Sequence, residues 1–156
     1  MALMDIHGKL GELGYTLPAV PKPVASYVPA VECSGQILVS GQLPMREGEL
    51  MAKGKVPSAV SLETAYAAAE QCVLNGLAAA DQKLGGDWSR VDRLSRLAVY
   101  VNSDPDFDCQ HKVANGASDF AGRVFENVGV HARAAVGAAA LPLQAPVEVE
   151  LTIALA

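Results

Sequence analysis

Several things are scarce in this chain of 156 residues, and each scarcity excludes a class of function. There is no apolar run of about 18 residues and no basic-then-apolar leader, so neither a membrane-spanning helix nor a secretory signal is expected and a cytoplasmic protein is predicted. Positive charge is in deficit, with 12 Lys and Arg against 17 Asp and Glu and a net charge of -5, which opposes nucleic acid as the main partner because phosphate binding needs a dense cationic surface. Cys33, Cys72 and Cys109 are odd in number, far apart and without a Cys-x-x-Cys pair, so no disulfide framework or zinc site is signalled and three buried thiols are expected. Arg90, Arg93 and Arg96 lack a glycine-rich phosphate loop beside them and read as a solvated strand edge. What remains is 51% hydrophobic and 19% charged, the composition and length of one globular domain over residues 1–156.

Periodicity divides the chain. Residues 5–13 carry Ile6, Leu10 and Leu13 ahead of Gly14 and predict a short amphipathic helix, and the three prolines of residues 18–23 predict an extended connection. Strands are expected at 28–31 and 36–42 around a Cys33-Ser34-Gly35 turn. Gly41 in Ser40-Gly41-Gln42 marks a bulge or a close backbone approach, with the flanking hydroxyl and amide satisfying local backbone groups or serving a ligand. Residues 44–57 read as a loop or ragged hairpin. Ser61 caps a helix over 61–84 whose small-residue stripe permits close packing on a sheet. A long strand follows at 91–102, then a helix opening at Ser103-Asp104-Pro105 and running to Gly129. Asn115-Gly116 costs helix propensity inside it, so the helix bends there or Asn115 is wanted for its amide.

The C-terminal stretch organises the rest. Val147, Val149, Leu151, Ile153 and Leu155 alternate with Glu148, Glu150 and Thr152, the period of a half-buried strand. The small, apolar run from Arg133 to Pro142 predicts a strand packed closely on both sides, joined to the last one by a short turn. The element order suits an α+β sandwich in which two long helices cover one face of a largely antiparallel sheet, and the apolar character of the strands predicts that oligomerisation hides the other face.

Arg133-x-x-Val136 followed by Leu141-Pro142, with Glu148 in a Val-Glu-Val-Glu strand, resembles the C-terminal signature of the YjgF/Rid family, the reactive-intermediate imine deaminases also catalogued as the endoribonuclease L-PSP group. Ser26-Tyr27-Val28 and Ser40-Gly41-Gln42 resemble its N-terminal motifs, and the likeness covers about residues 22–156. The resemblance implies a chorismate-mutase-like fold and a homotrimer packed sheet to sheet with clefts between neighbouring chains. It implies Arg133 as the ligand of a substrate carboxylate and Glu148 as the group that positions or activates water. Tyr27, Ser40 and Asn115 would line the pocket, with no metal or organic cofactor. The chain departs from the common deaminases at Ala135, where they have cysteine, and at Pro29, where they have glutamine. With its extra N-terminal helix over residues 1–21 and longer 44–57 loop it resembles a longer branch of the family.

The chemistry implied is hydrolysis of a small 2-imino or 2-enamino acid to a 2-keto acid and ammonia. An arginine fork grips the carboxylate through two charge-assisted hydrogen bonds, while a carboxylate in a partly dry cleft orients water and shuttles a proton. Taken alone, Arg133 and Glu148 read more simply as an ion pair between adjacent strands. Two other functions stay open: a trimer that binds a small carboxylate metabolite without catalysis, and the ribonuclease of the family's label.

Overall fold

The computed structural model describes residues 4–20 and 26–156. The expected connection over 18–23 lies partly outside them. Ser61 Oγ accepts a hydrogen bond from Thr64 N at 3.1 Å and opens α2 (Leu62–Leu84), which ends where Gly85 turns left-handed at φ 64°. The predicted small-residue stripe is buried from Ala65 to Leu84. A Cβ built at Gly76 would run into the Leu151 side chain, so the helix lies on the sheet at a separation that only glycine allows.

The second long helix, α3 (Gln110–Phe125), is shorter than its sequence suggested and is followed by a 3₁₀ turn, Glu126–Gly129. The Ser103-Asp104-Pro105 signal does not open it. Asp104 N donates to Val56 O at 2.8 Å and Asp104 Oδ2 accepts from Ser58 N at 2.9 Å, so these residues bind the preceding loop and are fixed outside the helix. Nor does α3 break at Asn115-Gly116. A Cβ at Gly116 would collide with the Tyr66 carbonyl of α2, so the glycine lets the two helices touch backbone to backbone.

Five strands form the main sheet: β1 (Ala30–Cys33), β2 (Gln36–Gln42), β5 (Val91–Asn102), β6 (Ala132–Ala138) and β7 (Val147–Leu155). Their order is β1-β2-β7-β5-β6, antiparallel except for the β5–β6 pair, for which α3 supplies the crossover that parallel neighbours need. The 44–57 segment is a ragged hairpin, β3 (Met45–Arg46) and β4 (Glu49–Leu50), tied to α2 by Asn75, whose amide donates to Leu43 O and Met45 O. On β7 the alternation holds: Val147, Val149, Leu151 and Ile153 are buried under the helices, and Glu148, Glu150 and Thr152 point to the opposite face. Near the N-terminus, α1 (Ile6–Glu12) inserts Ile6 and Leu10 into the same core.

Three expectations are corrected. The strand holding Arg133, β6, is an edge strand and half or fully exposed along its length, because its small residues leave one side open instead of being packed on both. It is not the neighbour of β7, since β5 lies between them and pairs with both. Only Cys72 is a buried thiol, whereas Cys33 sits exposed beside a turn and Cys109 half-exposed before α3.

Candidate functional site

The predicted site residues fall into two groups on opposite faces of the sheet. In register, Arg133 of β6 stands beside Leu97 of β5, whose side chain is buried under the helices, while Glu148 of β7 stands beside Tyr100, on the other face. The ion pair that adjacent strands would have made is therefore absent, and no salt bridge joins Arg133 to Glu148 among the described residues.

The first group gathers on α3. Arg133 Nη1 donates to Asn115 Oδ1 at 2.9 Å and to Ser118 Oγ at 3.1 Å, and Nη2 reaches the His111 carbonyl at 3.4 Å. A guanidinium has five N–H donors, so these bonds leave Nε–H and the second Nη2–H, a two-pronged edge matched to a carboxylate. Asn115 accordingly has the use its awkward place in a helix suggested. Behind Ser118 stands His131, with Nε2 at 2.9 Å from Ser118 Oγ and Nδ1 at 2.6 Å from Gly129 O. A groove of about 350 Å³, lined by Ser118, Gly122, Val130 and His131 among others, opens beside Arg133.

The second group gathers on the β2 bulge. The β2–β7 register shifts between Val39 and Gln42, and Ser40-Gly41 forms the bulge. A Cβ at Gly41 would collide with Glu148 Oε1, so the missing side chain is what lets the carboxyl lie over the β2 backbone. The hydroxyl and amide that flank Gly41 hold the bulge, Ser40 Oγ donating to Val28 O at 2.7 Å and Gln42 Nε2 to Ser40 O at 2.9 Å. That first bond ties the segment carrying Tyr27, which is 45% exposed, to the rim of the bulge. Glu148 is half-buried and makes no side-chain hydrogen bond among the described residues. Burial, and then the negative charge of Glu150, raise its carboxyl above the usual range. Glu150 in turn accepts from Tyr100 OH at 3.3 Å.

The structure thus brings Arg133 together with Asn115, and separately sets Glu148 over the Ser40-Gly41 bulge, which Ser40 ties to the carbonyl of Val28, the residue after Tyr27. Sequence reading missed Ser118 and His131. The signals existed: Ser118 lies one helical turn after Asn115, and His131 lies two residues before Arg133, on the same side of an extended chain. Among the described residues no cluster of His, Cys, Asp and Glu could hold a metal ion, and no helix is long and apolar enough to cross a membrane.

Known proteins resemble this chain along nearly its whole length. The family described as "YjgF/chorismate_mutase-like, putative endoribonuclease" matches residues 7–155. Protein TCP17 of Trypanosoma cruzi is 43% identical over 152 residues, covering 96% of this chain and 94% of that one. Among solved structures, protein Atu1372 of Agrobacterium tumefaciens is 42% identical with a TM-score of 0.89, covering 97% of this chain and 94% of its own. A Shewanella oneidensis protein described as a "putative endoribonuclease" is 28% identical with a TM-score of 0.92, covering 96% and 99%. Matched along nearly its whole length in both sequence and fold, the chain belongs to the YjgF/L-PSP family.

Proposed function

We propose that the protein hydrolyses small 2-imino and 2-enamino acids to 2-keto acids and ammonia, in clefts where Arg133 of one chain faces Glu148 of the next in a homotrimer. The observation that carries this reading is the state of Glu148, a half-buried carboxyl raised by burial and by Glu150, with no hydrogen-bond partner of its own among the described residues. A carboxyl held in this way keeps a proton closer to neutral pH than an ordinary one and is free to move it.

The roles follow from the two groups. The free edge of Arg133 takes the substrate carboxylate and fixes the plane of the C=N bond. Protonated Glu148 delivers its proton to the enamine carbon, giving the iminium. The resulting carboxylate accepts a proton from water as the oxygen attacks the iminium carbon, and collapse of the carbinolamine expels ammonia and leaves the keto acid. One water is consumed and no electrons are transferred. Because the two groups occupy opposite faces within a chain, the site must be built from two chains. The outer sheet face, with Val31, Leu38 and Val136 at 41%, 40% and 47% exposure, is the surface such an assembly would cover. The ribonuclease reading has less support, since the net charge of -5 works against RNA binding.

The test is complementation. Release of ammonia from enzymatically generated 2-aminoacrylate is measured for Arg133→Ala, for Glu148→Gln, and for trimers refolded from equal amounts of both. Each variant alone should lose about 10²–10⁴-fold in rate. If each site draws Arg133 from one chain and Glu148 from the next, the mixture should recover activity at about a quarter of its sites. No recovery would place both groups in one chain and overturn the composite site. No acceleration of any imine by the wild type, with 2-keto acid binding lost only in Arg133→Ala, would mean a carboxylate-binding protein instead of an enzyme.

A further inference from the structure

Arg133 is held by more than its own contacts. The Gly129 carbonyl can only accept, so His131 Nδ1, at 2.6 Å, carries the ring proton and donates it there. In the neutral ring Nε2 is then the acceptor, and the Ser118 hydroxyl 2.9 Å away is its donor. With its one hydrogen directed at His131, Ser118 can offer only lone pairs to Arg133 Nη1 at 3.1 Å. The four groups form a directed chain, from Arg133 through Ser118 and His131 to the backbone at Gly129.

We propose that His131 is a positioning residue. By fixing the Ser118 hydroxyl it sets the direction in which Arg133 presents its free Nε and Nη2 edge to a 2-keto or 2-imino acid. The inference rests on the functional reading above, which gives that edge its ligand. Without His131 the Ser118 side chain is free to leave this rotamer and donate to a carbonyl one turn back in α3, as helical serines do, which carries Oγ and its lone pairs away from Arg133. Arg133 then keeps Asn115 alone as a side-chain partner, and its long side chain regains rotamer freedom that must be lost again when the carboxylate binds. Bidentate recognition suffers more than charge attraction, because the fork needs the correct plane as well as proximity.

Two substitutions separate positioning from mere packing. His131→Leu removes the acceptor, and His131→Gln restores one near Nε2. Calorimetric titration with 2-oxobutanoate, a product-class probe that needs no turnover, should show His131→Leu weakened about tenfold, the loss of one hydrogen bond to a charged group. His131→Gln should stay within about threefold of the wild type, and kcat on 2-aminoacrylate should change less than KM in both. In an Arg133→Lys background, where there is no fork to aim, His131→Leu should cause no further loss. Unchanged affinity in His131→Leu, or an equal loss in the Lys background, would overturn the proposal. Should the wild type neither bind 2-oxobutanoate nor hydrolyse an imine, the functional reading fails first. Crystal structures of the two variants then decide the inference by themselves: a guanidinium displaced in His131→Leu and restored in His131→Gln upholds it, and one unmoved in both refutes it.

Discussion

Arg133 and Glu148 belong to one sheet, yet the fold treats them in opposite ways. The arginine is anchored by Asn115, Ser118 and the His111 carbonyl, all on α3, so that only one edge is free. The glutamate lies over Gly41 with no hydrogen bond among the described residues and with Glu150 on the same face of its strand. A binding group gains from being held, because each contact removes freedom that the ligand would otherwise have to remove. A proton-transfer group gains from incomplete satisfaction, because every donor on the carboxylate would draw its pKa back down. The contrast shows how one sheet can carry both: the anchored group sits on the covered face, against a helix, and the unsatisfied one on the opposite face, where the proposed assembly would bring a partner.

The largest effect should come from removing that partner. Leu38 stands between Val31 and Thr152 on the outer face and is exposed in the single chain, and Leu38→Glu would place a charge on the face of Glu148 and Glu150 where the proposed assembly would bury apolar surface. Light scattering should show the assembly reduced to single chains, and imine hydrolysis should fall to background while the fold, read by circular dichroism, is kept. A fully active monomer would end the comparison, since both groups would then have to work within one chain.

Next in size is Gly41→Ala. The new methyl collides with Glu148 Oε1 and must push the carboxyl off the bulge, and a displacement of about 1 Å is enough to cost ~10²-fold in rate. Affinity for 2-oxobutanoate, which depends on Arg133, should change far less. Equal losses of rate and affinity would mean that the two groups are not separable.

The contrast was only partly legible in the sequence. Strict alternation from Val147 to Leu155 gave the strand and its two faces, and Gly41 between Ser40 and Gln42 gave the bulge, because only a missing side chain explains glycine in such a strand. Likewise the helix at 62–84 announced both of its ends through Ser61 and Gly85. The face of Arg133 could not be read. Arg-Ala-Ala-Val-Gly-Ala-Ala has no polar alternation, so nothing in it says which side turns to the helices, and only its register with Leu97 decides. The short connection between β6 and β7 likewise suggested neighbours, but β5 is longer, carries larger and more deeply buried apolar side chains, and takes the place between them. Helix α3 began late for a related reason: the capping signal at Asp104 was used by the loop at Val56 and Ser58, a contact distant in sequence.

The smallest effect is the most direct probe of Glu148. Its carboxyl is raised in the folded chain, so the native state holds that proton more tightly than the unfolded state does. Stability must then fall as pH rises from the ordinary carboxylate range toward the folded value, and stay at the lower level above it. Glu148→Gln carries no such charge. Its Tm should exceed that of the wild type at pH 7, and the two should converge below about pH 4, where both side chains are neutral. The variant would thus be more stable and nearly inactive, the sign of a residue kept for chemistry at the expense of the fold. The gain should be larger in the Leu38→Glu background, because there no arginine from a neighbouring chain offsets the charge. A Gln variant less stable than the wild type at pH 7 in that monomer would show that the carboxylate is satisfied within its own chain, and the contrast with Arg133 would be lost.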